Sequence, residues 1–179
     1  MFLRTILITG MLVSCATPRM DEDLNRLISF GDAKYGEESA AFEALLESAL
    51  TNEELPEPDS ENGIFEVALG QLAIPPEFRR YFGAPTLTQE QRAYTVDIPV
   101  RGNWHGVPLS DILIVQTLES EGGFHLIFDA PRSRVLQAAN EAGFSLPATG
   151  LAKHDADVMG VTIQIAEYGD KTSLSCFKG

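Results

Sequence analysis

Apolar and polar residues alternate most regularly between residues 93 and 129. Tyr94, Val96, Ile98 and Val100 alternate with Thr95, Asp97 and Pro99, and Phe124, Leu126 and Phe128 alternate with His125, Ile127 and Asp129; between them, residues 111–118 are apolar on both sides at their centre. A period of two places successive side chains on opposite faces, so this stretch predicts three consecutive strands. Glycine-bearing turns separate them at residues 101–106 and 119–123. The same period returns at Val161, Ile163 and Ile165, and again over residues 171–177 after the Gly169-Asp170 turn.

Elsewhere the period lengthens. Phe42, Leu45, Leu46 and Ala49 form one stripe, with Glu38, Glu43 and Glu47 opposite, which predicts a helix over residues 37–50. Leu24, Leu27 and Ile28 follow Asp21 and Asp23 at helical spacing, so a helix is expected to run from there toward Phe30. Pro131 opens another through residue 142, with Val135, Leu136, Ala139 and Ala142 inward and Gly143 as its end. Residues 64–72 read as a strand and residues 77–82 as a short helix carrying Phe78, Tyr81 and Phe82. The Glu- and Pro-rich residues 51–63 read as a loop. The expected fold is therefore α+β: a mainly antiparallel sheet of about five strands, ordered three strands, helix, two strands, after an acidic helical region. The expected divisions are residues 1–14, 15–62 and 63–179, the last two forming one compact unit.

If the Tyr94, Phe124, Val161 and Leu174 sides of these strands face the helix, Cys176 is inward too, a small buried hydrophobe rather than a nucleophile. The opposite face then carries Thr95, Asp97, His125, Asp129, Thr162, Gln164, Tyr168, Ser173 and Ser175. That face is polar enough for water, for a ligand, or for cover by the N-terminal helices.

The N-terminus changes the picture. Arg4 precedes an apolar run over residues 5–13, too short to span a bilayer as a helix but suited to a secretory signal. It ends in Leu12-Val13-Ser14-Cys15, which resembles the lipobox of bacterial lipoproteins. The resemblance covers only about the first fifteen residues. It implies that Cys15 becomes the lipidated first residue of the mature chain, and Ala16 after it suits sorting to the outer membrane. Ser14 and Ala16 also fit an ordinary signal cleavage that would release a soluble periplasmic protein from Thr17. Both routes imply export, to the periplasmic side of the outer membrane or to the soluble periplasm, and neither leaves a partner for an intramolecular disulfide to Cys176.

The formal net charge is −13, concentrated in residues 20–62, where thirteen acids stand against Arg26 and Lys34. With so little to offset phosphate repulsion, the charge argues against nucleic acid as a partner, and the acidic field reads either as simple solubility or as a means to recruit a basic or envelope protein. Candidate chemistry is thin. Trp104 and His105 form an aromatic and titratable pair in a glycine-flanked loop, expected to be exposed and able to hold a ligand, with Gln164 and Tyr168 as further binding candidates. His105, His125 and His154, with Asp97, Asp129 and Asp155, are the only catalytic candidates; their spacing matches no metal motif and no cofactor is indicated. The expected function is that of an exported, lipid-anchored envelope protein that binds a protein or ligand rather than an enzyme. The alternative is a small hydrolase or metal-dependent enzyme built on a His/Asp cluster.

Overall fold

β-Branched and aromatic residues in alternation dominate residues 93–128, and the longest strands form there. The structure, a computed structural model, describes residues 21–50, 63–66, 72–90, 93–117, 122–154 and 160–179. The signal, the lipobox with Cys15, most of the 51–63 loop and Asp155 lie outside the described residues.

The elements run in chain order as α1 (Asp21–Leu27), β1 (Phe30–Asp32), β2 (Glu37–Glu38), α2 (Ala40–Leu50), β3 (Gly63–Glu66) and β4 (Thr86–Glu90). They continue as β5 (Ala93–Trp104), β6 (Val107–Thr117), β7 (Gly122–Phe128), α3 (Arg132–Glu141), β8 (Leu151–His154), β9 (Val161–Tyr168) and β10 (Lys171–Lys178). Among the described residues, eight strands make one antiparallel sheet in the order β3-β4-β5-β6-β7-β10-β9-β8, and β1 pairs with β2 in a separate small ribbon.

This corrects the expectation of an α+β protein with about five strands. Among the described residues the molecule is mostly β, with three short α-helices, because strands form where the sequence pattern is too short to register. Thr86–Glu90 pairs along β5 from Thr86 opposite Asp97 to Glu90 opposite Ala93, and Leu151–His154 pairs with Gln164 through Val161. The helix expected over residues 37–50 begins only at Ala40, since Glu37 and Glu38 are taken into the ribbon. The aromatic turn at residues 77–82 shrinks to a 3-10 turn at Arg79–Tyr81, and Phe82 bridges Val100.

After β7 the chain passes through α3 and β8 to the far edge, then returns through β9 so that β10 docks on β7. All three helices lie on one face. Leu24 and Leu27 of α1, Phe42 and Leu45 of α2, and Val135, Ala138 and Ala139 of α3 share a single core with Val96, Ile98, Ile112, Ile114, Leu126, Ile163 and Leu174. Every residue expected to face the helix, from Tyr94 to Cys176, is buried there. Burying a side chain of Leu or Phe size contributes roughly 1.5–3 kcal/mol, so this one-sided core fixes strand register: a slip by one residue would turn each such side chain outward.

Candidate functional site

The face away from the helices carries the polar residues that alternation assigns to it. Strand register aligns them in a row across the sheet: Thr86, Asp97, Leu113, His125, Ser175, Gln164 and Leu151 stand opposite one another from β4 to β8. The N-terminal helices do not cover this row, because α1 packs on β5 and α2 on β6 from the other side.

Within the row, His125 Nδ1 shares a 2.8 Å hydrogen bond with Ser175 Oγ, and its ring meets that of Phe177 edge-on at 5.1 Å. Burial lowers the His125 pKa below the ordinary imidazole value, so it is neutral at pH 7. Ser175 and Ser173 are both buried, as are Leu113 and Ile127 on the same face.

A charged group closes one end. Lys171 Nζ lies 3.1 Å from Asp111 Oδ2, 3.0 Å from Ser110 Oγ and 3.6 Å from Asp129 Oδ1. Its hydrogen bond to Asp111 holds Lys171 above the usual ammonium range. Asp97 sits diagonally from Asp111 on β5, and its Oδ1 is buried without a hydrogen-bond partner. Burial, and then the Asp111 charge, raise its pKa above the ordinary 3.8.

An ionised Asp97 therefore works against the fold. Since the folded-state pKa is raised, the unfavourable contribution is absent below pH 3.8, grows as pH rises from there to the folded-state value, and persists in full above it. Asp97→Asn is expected to raise unfolding free energy at pH 7 by on the order of 0.5–1 kcal/mol, discounted for partial solvent access. The gain should vanish near pH 3. Denaturant titrations at the two pH values check this, and a variant less stable than the parent at pH 7 contradicts it.

The other candidates disperse. Trp104, expected to be exposed, is a core residue: it is fully buried, its indole N–H donates to the Ile28 carbonyl at 2.8 Å, and its ring packs on Phe128 at 5.7 Å. The turn after it is tighter than the glycines suggest. β5 continues through an irregularity past Pro99 to Trp104, and only His105 and Gly106, both at positive φ (46° and 72°), make the reversal. His105 is tied there by its backbone N–H to Asn25 Oδ1 at 2.7 Å and meets the Trp104 ring edge-on at 4.6 Å; burial lowers its pKa, opposed by the Glu141 charge. His154 is on the β8 edge against Tyr35, with ring centroids 5.3 Å apart. Gln164 and Tyr168 are exposed on β9, remote from the Trp104 hairpin.

Among the described residues, no histidine is brought together with two acids. Asp97 is two strands from His125, about 10 Å at the usual strand spacing, and Asp129 pairs with Lys171 instead. Among the described residues, no group of three His, Cys, Asp or Glu side chains has the geometry to hold a metal.

The core face holds a concavity that sequence reading did not find. In the row Tyr94, Gln116, Gly122, Lys178, Val161 the central position has no side chain. The resulting pocket, about 220 Å³, is walled by Leu46 and Leu50 of α2 and by Ile114, Phe124 and Cys176 of the sheet. Gln116, Glu38 and Lys178 stand at its rim, and Lys178 Nζ is 2.5 Å from Glu38 Oε2. Burial pushes the Cys176 thiol up to about 12, so it is a neutral, soft wall group and no nucleophile.

The fold and these sites define an antiparallel β-sheet protein with helices on one face, a polar row on the other and an apolar pocket in the core face. Comparison with protein-family models, with curated proteins and with solved structures finds no match to this chain.

Proposed function

We propose that this chain is an exported protein, held on the periplasmic side of the outer membrane by lipid on Cys15, that works by binding a partner rather than by catalysis. The observation that carries the reading is the complete box Leu12-Val13-Ser14-Cys15 after a short apolar run. Five residues separate Cys15 from the start of α1 at Asp21, a reach of at most about 20 Å, so the anchor would hold the sheet close to the bilayer. Among the described residues no helix is long and apolar enough to cross a membrane. Among the described acids of the first third, Asp32, Glu37, Glu43 and Glu47 are exposed, which suits recruitment of a basic envelope protein.

Among the described residues His105, His125 and His154 lie apart from one another, which supports the binding reading over a His/Asp hydrolase. Membrane partition tests the anchoring. In a bacterial host the full-length protein is expected in the membrane fraction and resistant to high-salt wash, and Cys15→Ala is expected to lose that partition. Equal partition of the two proteins would refute the anchor.

A further inference from the structure

We infer that the pocket under α2 binds a small uncharged molecule with an apolar body and one hydroxyl or N–H group. This goes beyond the envelope reading and does not depend on it.

The pocket has a structural cause. Gly122 separates Gln116 and Lys178 in its cross-strand row, and a Cβ there would stand 2.7 Å from Gln116 Oε1. The glycine lets the Gln116 amide lie down over residue 122, and the open space lies beside it under α2, whose Leu46 and Leu50 are only partly buried. A cavity of about 150 Å³ lined by Leu, Ile and Phe stays dry and accepts benzene. At about 220 Å³ this one takes a bicyclic ring or a short hydrocarbon chain.

The rim sets the charge of the ligand. The Glu38 side chain is only 9 % exposed and its charge is matched by Lys178, so the mouth presents a closed ion pair with no net charge to offer an anion or a cation. A charged ligand would have to break that pair and leave one member buried and uncompensated. What the rim does offer is an acceptor. Gln116 donates through its Nε2 to the Thr117 carbonyl at 3.0 Å, which turns its Oε1 toward the gap at Gly122. An alcohol O–H or an indole N–H bonds that oxygen, and the remainder of the molecule packs on Ile114, Phe124 and Cys176.

The test is a heteronuclear NMR titration of the full chain with n-hexanol, indole and hexanoate. The expected result is shift changes confined to signals of Leu46, Leu50, Ile114, Phe124 and neighbouring backbone with hexanol and indole, and at least about tenfold weaker binding of hexanoate, whose carboxylate finds no free cation. Leu46→Trp and, independently, Gly122→Val fill the space; whichever retains the parent spectrum elsewhere is expected to lose the response. Absence of shift changes with both neutral probes overturns the site. So does an undiminished response in a folded filled variant, and hexanoate binding as tightly as hexanol overturns the neutral-ligand assignment.

Discussion

Replacing Trp104 by alanine is expected to lower the unfolding free energy by about 3–5 kcal/mol, the usual cost of emptying a large aromatic site in a core. Trp104 is completely buried at the closed end of the β5–β6 hairpin, in contact with Phe30, Phe128 and His105. It also fastens two parts of the chain, because its indole N–H is bonded to the carbonyl of Ile28, just after α1. Truncation would open a cavity and leave that carbonyl without its donor, and a domain of this kind has only about 5–15 kcal/mol in total. Equilibrium urea unfolding of the variant and of His105→Ala separates the two halves of the pair. His105, on the turn, is expected to cost under about 1 kcal/mol, within the range of surface changes. Equal losses for both would place the aromatic anchor elsewhere.

Lys178→Met is expected to be nearly as damaging, at about 3–5 kcal/mol, because it removes the partner of a mostly buried carboxylate. The Glu38 side chain is 9 % exposed and that of Lys178 is 38 % exposed. The asymmetry makes a second expectation: Glu38→Gln leaves a cation that turns into solvent, and costs less than Lys178→Met. The double variant should recover most of the loss, since neither charge is then stranded. Thermal and urea unfolding of the three proteins check this. A Lys178→Met protein as stable as the parent would show that Glu38 finds another route to solvent.

Which side of each strand is buried can be read directly from the sequence. Tyr94, Val96, Ile98, Phe124, Leu126, Phe128, Ile163, Ile165, Leu174 and Cys176 all enter the core, since a period of two maps onto a sheet with helices on only one face. The number of strands cannot be read the same way. Thr86–Glu90 and Leu151–His154 are five and four residues long, and their pairing depends on β5 and β9 being alongside, a tertiary fact that local alternation does not contain. Missing them turned a mostly β protein into an apparent α+β one.

Trp104 was misplaced for a related reason. Gly102, Asn103 and Gly106 all have turn chemistry, but the backbone reverses only at His105-Gly106, so the tryptophan stays on the strand and points into the core. The polar row was legible as a set of residues and illegible as a row. Asp97, His125, Ser175 and Gln164 become collinear only once β10 is known to insert between β7 and β9. The pocket needs the same knowledge, because its lining by Gln116, Gly122 and Lys178 follows only once these three are known to be cross-strand partners.

The central claim is that the mature protein begins at a lipidated Cys15, and intact mass spectrometry of the full-length protein expressed in a bacterium tests it most directly. The account predicts a mass lacking residues 1–14 and carrying added acyl chains, with both features abolished by Cys15→Ala. A mass that begins at Thr17 without lipid, or one that retains Met1, would contradict it.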